Sequence, residues 1–285
     1  MNTTTLLGAH VSASGGFFNA FLNADRIGAQ TIQFFGASPR QWFAQMPNEK
    51  SIADFKAARK NSKVQSVFLH AAYLVNLGSD KAELRAKSVA SLAAHLRIAQ
   101  LLEADGLIFH MGSNSNRKEG LAFTAEGMQE VLKKVPGDTR LIMENSSGGG
   151  SKLCYDGDEI GEVFHAVNNP RVKVCLDTAH IFAAGVIPHF SQTNIEFALN
   201  RWEKFFGLSN IVAVHFNDSK TLANSHTDRH ENIGDGHIGL EGLKNFAAQK
   251  SLHHASWILE VPGLLGEGPD KENLERLQSL FGRLK

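Results

Sequence analysis

The stretch RLIMENSSGGGS at residues 140–151 joins a short apolar run to an acidic residue and then to a loop rich in Ser and Gly. Leu141, Ile142 and Met143 are continuously apolar, which is typical of a parallel strand buried on both faces. The same unit recurs along the chain: an apolar run, a polar loop, then a longer amphipathic stretch. Strands that alternate in this way with helical patterns indicate repeated βα units.

Eight such runs are found. The predicted strands are Leu6–His10, Thr31–Phe35, Val67–His70, Gly106–His110, Arg140–Glu144, Val172–Asp177, Ile211–His215 and Trp257–Glu260. Eight βα units favour a closed (β/α)8 barrel, the TIM barrel, over an open sheet. No linker or low-complexity tract interrupts the pattern, so one domain spanning residues 1–285 is predicted, with its site at the carboxyl ends of the strands.

The clearest helical pattern covers Asp80–Glu103. Leu92 and Leu96 fall on one face at four-residue spacing, as a helix that packs on a sheet requires. Asp80 and Glu83 have the spacing of a capping box, which predicts the start of the helix at this point.

Composition narrows the class of protein. Two cysteines, Cys154 and Cys175, are too few for a disulfide framework, and no apolar run is long enough to span a bilayer. The N-terminal segment lacks the basic and apolar regions of a secretory signal, so a cytoplasmic location is expected. The net charge is zero, which argues against coating of nucleic acid by bulk charge but leaves open a local basic groove.

Six successive predicted strands end on a residue type that binds metal ions. These residues are His70, His110, Glu144, Asp177, His215 and Glu260. A single His at a strand end is more often structural than a ligand, but six in register point to one site because strand ends converge in a barrel. A buried carboxylate such as that of Glu144 also needs a cation or a strong partner.

Two local motifs add candidate ligands. Asp177-Thr-Ala-His180 places a His just beyond a strand-end Asp. His226-Thr-Asp228-Arg-His230 contains an Asp-x-His pair, whose members point the same way in extended chain. A helix cap for Asp177 and a solvated loop for Asp228 are the structural alternatives.

The full candidate set is five His, two Asp and two Glu. Mixed imidazole and carboxylate ligands suit Zn²⁺ and are also compatible with Mn²⁺ or Fe²⁺. Nine ligands exceed the needs of one ion and fit three ions if one carboxylate bridges. Bound ions of this kind activate water and hold anionic oxygens, which suits hydrolysis of a phosphate ester.

These segments resemble a known family. The matching segments are GAHVSASGG (8–16), PRQW (39–42), HAAYLVNLGS (70–79), HMGS (110–113), MENSSGGG (143–150), LDTAHIFAAG (176–185), HFNDSK (215–220), HTDRHENIG (226–234) and LEVPG (259–263). In order and spacing they resemble endonuclease IV, the apurinic/apyrimidinic endonuclease family with a TIM barrel and three zinc ions. The resemblance covers about residues 6–280.

The resemblance implies how the ligands are shared. His70, His110 and Glu144 would hold a first ion, and Glu144 would bridge to a second ion held also by Asp177, His215 and Glu260. His180, Asp228 and His230 would hold a third, more exposed ion. Glu260, together with Glu144, would orient or deprotonate the attacking water.

The resemblance also implies a substrate. The family cleaves DNA on the 5′ side of an abasic site, leaving a 3′-hydroxyl and a 5′-deoxyribose phosphate, and trims blocked 3′ ends. It flips the abasic nucleotide out of the helix and inserts loop side chains, and Arg40, Tyr73 and Leu74 occupy the matching loop positions. Ser38 stands where Asn is usual before Pro-Arg-Gln-Trp, so lesion preference is left open. A monomer is expected.

Two other functions are considered. A sugar isomerase or epimerase on the same barrel also places acids and His at strand ends, but the additional set of His180, Asp228 and His230 argues against it. A non-catalytic sensor of damaged DNA has little reason to keep nine ligands. The roles of His10, Asn217 and residues 148–150 are left open between site and structure.

Overall fold

The fold, as given by a computed structural model, is described for residues 5–282. Eight parallel strands close into a barrel in which each strand pairs with the next along the chain and the last pairs with the first. The predicted TIM barrel is therefore confirmed. The ends of the predicted 1–285 domain, residues 1–4 and 283–285, lie outside the described residues.

The barrel strands follow the predicted runs closely. They are β1 Leu6–His10, β2 Thr31–Phe35, β3 Ser66–His70, β4 Gly106–His110, β5 Arg140–Glu144, β6 Val172–Asp177, β7 Ile211–His215 and β10 Ser256–Leu259. Two short strands, β8 (Asp218–Ser219) and β9 (His230–Glu231), pair with each other outside the barrel. The predicted last strand is wrong by one residue at each end, because Glu260 lies just beyond the ladder that joins β10 to β1 and β7.

Helices surround the barrel. They are α1 Asn19–Ile27, α2 Glu49–Asn61, α3 Ala82–Leu101, α4 Arg117–Lys134, α5 Gly157–Val167, α6 Thr178–Ala183, α7 Gln192–Phe205, α8 Gly239–Ala247 and α9 Lys271–Leu280. None of these helices, within the described part of the chain, is long and apolar enough to cross a membrane.

Helix α3 begins two residues later than the sequence predicts. Lys81 occupies the N-cap position and its side chain makes no capping hydrogen bond, so the predicted capping box is wrong. Ser79 takes part of that role, since its hydroxyl accepts a hydrogen bond from the Lys81 N–H. The apolar face is as predicted, with Leu92 and Leu96 fully buried.

The barrel interior contains an apolar layer with one residue from each of six strands. Its members are Phe68, Ile108, Ile142, Cys175, Ala213 and Ile258. Each precedes a predicted metal ligand by two residues, and side chains two apart in a strand point to the same face. The alternation of side chains along the strands therefore points all six strand-end ligands into the mouth of the barrel, directly above this apolar layer.

Candidate metal centre

A cavity of about 500 Å³ opens at the carboxyl ends of the strands. Its walls include His10, His70, His110, Glu144, His180, Asp228, His230 and Glu260, together with Phe35 and Tyr73. The structure thus brings residues at or just beyond the ends of seven barrel strands, and from the loop after β7, to one concave surface. Strand-end convergence is the reason, because each residue closes or follows its own strand.

Glu144 lies at the centre of this cluster and is almost fully buried. One carboxylate oxygen, Oε2, lies 3.0 Å from His70 Nε2 and 3.5 Å from His110 Nε2. The other, Oε1, lies 2.9 Å from His215 Nδ1 and 3.5 Å from His180 Nδ1. The two oxygens therefore face different histidines, which is the arrangement that a bridging carboxylate needs.

The charge of Glu144 depends on its neighbours. Burial alone would raise the pKa of this carboxyl, but the nearby His110 and His215 outweigh it and hold the pKa well below its ordinary value. Burial also lowers the pKa of His110 to about 4, so this imidazole stays neutral at physiological pH. An anionic carboxylate beside a neutral imidazole is a donor set suited to a divalent cation.

Asp177, His180, Asp228 and His230 form the second half of the cluster. His180 Nε2 lies 3.0 Å from Asp228 Oδ2, and His230 Nε2 lies 3.4 Å from Asp177 Oδ2 and 3.5 Å from Asp228 Oδ1. Burial disfavours the charged form of His180, but Asp177 and Asp228 outweigh it and raise the pKa of His180 to about 10. The negative charge of these carboxylates is thus large enough to keep the buried His180 imidazole protonated. A bound cation could balance the same charge in place of that proton.

The ligand atoms fall into three groups, each with mutual separations within 4.8 Å. The groups are His70 with His110 and Glu144; Glu144 with Asp177, His215 and Glu260; and Asp177 with His180 and His230. The first two are the sets that the resemblance to endonuclease IV implies. In the third group, Asp177 takes the place that the resemblance gives to Asp228. Asp177 lies at the barrel wall and belongs to both the second and the third group. Asp228 lies on a loop, its side chain is 38% exposed, and it contacts His180 and His230 from the solvent side.

The ring orientations fit metal ligation. His70 and His180 each donate from Nδ1 to a backbone carbonyl, of Ala71 and Asn145 respectively, at 2.9 Å. His230 Nδ1 donates to the carbonyl of Glu260 at 3.2 Å. Each ring therefore directs Nε2 into the cavity as the nitrogen that a metal ion would bind, and an outer hydrogen bond of this kind is usual for a metal-binding His.

The unpaired atoms of the cluster also fit a metal. Within residues 5–282, His110 Nδ1 and His230 Nε2 are buried polar atoms with no hydrogen-bond partner. Such atoms carry a desolvation cost of about 1–3 kcal/mol unless something else binds them. A cation bound between His230 and the nearby carboxylates would remove that cost for His230.

Two amide side chains that the sequence analysis left open or missed position the acids. Asn217 donates to Asp177 Oδ2 at 2.8 Å and accepts from the backbone N–H of Glu260 at 2.8 Å, so it ties two candidate ligands together. Asn145, which was not predicted, accepts from the backbone N–H of Asp177 at 2.7 Å. Its only sequence signal is its place directly after Glu144.

Asp177 has both roles that the sequence left as alternatives. Its Oδ1 accepts from the backbone N–H of His180 at 2.8 Å and so caps α6. Its Oδ2 faces Asn217 and His230. The cap fixes the carboxylate without occupying both of its oxygens, so the two roles are compatible.

The loop that carries Asp228 and His230 is held from two sides. Asp218, which is fully buried, accepts backbone hydrogen bonds from residues 234–239. On the other side, a Cβ at Gly149 would lie 2.5 Å from the carbonyl oxygen of His226 and one at Gly148 would lie 3.0 Å from its ring. Residues 148–149 thus allow close approach of this loop.

Of the three predicted DNA-contact residues, Tyr73 lines the cavity. Tyr73 is 61% exposed, and its ring packs on Phe35 with 5.4 Å between centroids. Its backbone N–H donates to the carbonyl of Pro39 at 3.0 Å, which ties its loop to the one that presents Arg40. Arg40 is exposed and Leu74 is half-buried. The structure therefore brings both predicted contact loops together beside the metal-capable cluster.

Proteins of a known family resemble this chain in sequence along nearly its whole length. Residues 21–280 match a family described as "Xylose isomerase-like TIM barrel". The chain is 33% identical over 277 residues to a probable endonuclease 4 of Halothermothrix orenii, covering 95% of this chain and 99% of that protein. It is 34% identical over 279 residues to a probable endonuclease 4 of Aquifex aeolicus, covering 97% and 98%. The chain belongs to the endonuclease IV family.

Solved structures agree with this assignment. The crystal structure of endonuclease IV from Thermus thermophilus matches with a TM-score of 0.85 at 31% identity, covering 98% of this chain and 100% of that one. A D-tagatose 3-epimerase-like protein matches with a TM-score of 0.72 but only 15% identity, which shows the shared barrel alone. Membership of the endonuclease IV family makes the chain a metal-dependent hydrolytic nuclease, and the sugar isomerase is the less supported alternative.

Proposed function

We propose that this chain cleaves the phosphodiester on the 5′ side of abasic sites in double-stranded DNA, leaving a 3′-hydroxyl and a 5′-deoxyribose phosphate, and that it trims blocked 3′ ends. The observation that carries the proposal is the position of Glu144, whose two oxygens face two separate sets of histidines in one cavity. Full-length similarity to proteins named endonuclease 4 supports the same reaction class.

The nine-residue cluster is proposed to hold three Zn²⁺ ions, with Mn²⁺ or Fe²⁺ as possible replacements. His70, His110 and Glu144 would hold one ion, and Glu144 would also contribute to a second site with Asp177, His215 and Glu260. His180, Asp228 and His230 would hold the third ion. When bound, such ions lower the pKa of water towards neutrality and stabilise negative charge on phosphate oxygens.

The protein side chains supply position and proton transfer. Glu260 is 18% exposed at the cavity wall, with Oε2 3.1 Å from His215 Nδ1, and is the proposed group that orients the attacking water and accepts its proton. Tyr73 and Leu74 are proposed to replace stacking lost at the abasic position, and Arg40 to contact the DNA alongside them. The chain is proposed to act as a monomer in the cytoplasm.

The decisive experiment is incision of a duplex that contains one abasic site, with and without a chelator, on protein whose metal content is measured. Cleavage on the 5′ side that stops on chelation is expected, and binding should weaken as salt rises because phosphates are contacted. Tight binding of the abasic duplex without cleavage by metal-loaded protein would leave a damage sensor. Conversion of an aldose to a ketose would instead support the isomerase.

A matched pair of variants tests the role of Glu260. Glu260→Gln should abolish incision and keep most binding of abasic DNA, because the amide retains the shape and loses the proton acceptor. Glu267→Gln, on the same loop but exposed, is the control and should cleave normally. Normal incision by Glu260→Gln would refute its proposed role.

A further inference from the structure

One buried amide contacts the cluster without belonging to it. Gln33 lies in the middle of β2, within the otherwise apolar run Ile32 to Phe35, and is fully buried. Its Nε2 lies 2.6 Å from Glu260 Oε1 and 2.9 Å from His10 Nδ1. Its Oε1 lies 2.8 Å from His215 Nε2. All the hydrogen-bonding groups of this amide therefore point at the candidate site and its wall.

The neighbours fix which way the amide points. Glu260 Oε1 is a carboxylate oxygen, which can only accept a hydrogen bond when it is ionised. The reverse orientation of Gln33 would set two acceptor oxygens 2.6 Å apart. The amide nitrogen therefore donates to Glu260, and the amide oxygen is left as an acceptor for His215.

We propose that Gln33 is a positioning residue that selects the ring tautomer of His215 and the orientation of the Glu260 carboxylate for metal binding. The inference rests on the proposed metal-dependent function. His215 donates its Nε2 proton to Gln33, which leaves Nδ1, 2.9 Å from Glu144 Oε1 and 3.1 Å from Glu260 Oε2, as the ring nitrogen that would bind the ion. Without an acceptor at Nε2, those two carboxylates would favour a proton on Nδ1, the atom that the ion needs.

The second part of the role concerns Glu260. This residue lies one position beyond β10 and so lacks the support of the barrel ladder. Gln33 holds Oε1 of its side chain while Asn217 holds its backbone N–H at 2.8 Å, and Oε2 is left facing His215. The Gln33 amide thus restrains the Glu260 side chain at a position where β-sheet hydrogen bonds no longer hold the backbone.

Two substitutions at Gln33 separate the two parts. Gln33→Met removes the hydrogen bonds to Glu260, His10 and His215 at similar volume, whereas Gln33→Glu keeps an acceptor for His215 and loses the donor to Glu260. Loss of an outer hydrogen bond to a metal ligand typically weakens metal affinity about 10–100-fold. In Gln33→Met we therefore expect one of the bound zinc equivalents to be released at a chelator concentration about 10–100-fold lower than in the unsubstituted protein.

The second readout is spectroscopic and needs no DNA. In zinc-loaded protein labelled with ¹⁵N-histidine, the His215 Nε2 proton should give a low-field resonance that is protected from solvent. Gln33→Met should move it upfield and speed its exchange, and Gln33→Glu should move it further downfield because the acceptor is charged. Gln129→Met, at an exposed Gln bonded to the carbonyl of Ala166, is the matched control and should change neither readout.

The outcomes decide the inference. A folded Gln33→Met protein with unchanged zinc release and an unchanged His215 resonance would overturn it. If Gln33→Met fails to fold, the His215 resonance of Gln33→Glu decides: a downfield shift supports the role, and an unchanged or absent resonance refutes it. Because both readouts are taken without substrate, they are independent of whether the unsubstituted protein incises abasic DNA.

Discussion

The loop that carries Asp228 and His230 offers a sharp test of how the exposed part of the cluster is held. Asp218 is fully buried just before this loop, and its carboxylate accepts hydrogen bonds from backbone N–H groups on both sides of the loop. The donors are the N–H groups of Ser219, Gly234, Gly236, Ile238 and Gly239, at 2.8–3.3 Å. Substitution of Asp218 by Asn removes the charge and turns one acceptor oxygen into a donor.

The magnitude follows from these contacts. The Asn amide keeps one acceptor oxygen, so at least the two bonds to Oδ2 from Gly234 and Gly236, both 3.1 Å, are lost. Hydrogen bonds to charged groups are worth about 1.5–3 kcal/mol each. Burial raises the pKa of Asp218 despite its backbone donors, which means that desolvation offsets part of the gain and favours the lower end. A loss of about 3 kcal/mol corresponds to a fall of about 5 °C in Tm for a chain of this size.

The assay is thermal melting of the metal-loaded protein, together with hydrogen exchange of residues 230–239. Asp218→Asn should lower Tm by the amount above and speed exchange in this segment more than in the barrel strands. Asp235→Asn is the control, because Asp235 lies in the same loop but makes only a partly exposed ion pair with Arg276, worth about 0–1 kcal/mol. A Tm and exchange pattern for Asp218→Asn equal to those of Asp235→Asn would refute this reasoning.

Three further predictions follow from single features. Burial lowers the pKa of His95 below 6.5 in the folded protein, so His95 binds a proton more readily when the chain is unfolded. The free energy of unfolding should therefore fall as the pH drops from 6.5 towards the lowered pKa. His95→Leu should flatten the plot of Tm against pH in that range, and an unchanged slope would contradict it. Gly149→Ala places a Cβ 2.5 Å from the His226 carbonyl and should speed zinc loss to a chelator, while Ser151→Ala should not; equal rates would refute the close-approach argument. Tyr73→Ala should weaken binding of abasic DNA about 5–150-fold, the equivalent of about 1–3 kcal/mol of stacking, with zinc content unchanged; zinc loss would show that the loop is structural.

Much of the fold was predictable because its signal is local. The barrel strands are mostly apolar runs, and the side-chain alternation that places Ile142 in the floor also places Glu144 in the site above it. Boundaries were less predictable. Glu260 falls outside β10 because pairing with its neighbours ends at Leu259, and α3 begins after Lys81 because Ser79, not Asp80, accepts a hydrogen bond at its start.

The same limit applies to the candidate site. Asp177 was predicted as a strand-end ligand with a helix cap as the alternative, and it has the geometry of both. The grouping of Asp177 with His180 and His230 was not predicted, because it depends on how far a loop side chain stands from the barrel wall. The close approach of Gly148 and Gly149 to His226 could not be predicted from the sequence, because His226 lies on a different loop.

Periodicity and the residue types at strand ends were enough to predict the barrel, the six converging strand ends and, with two loop motifs, the nine candidate ligands. Tertiary contacts set which nitrogen each His presents and what supports each acid. Gln33 illustrates the reason: its partners lie 182 and 227 residues away in the chain, at His215 and Glu260. Only closure of the barrel brings β2 beside these residues, and no local pattern encodes that approach.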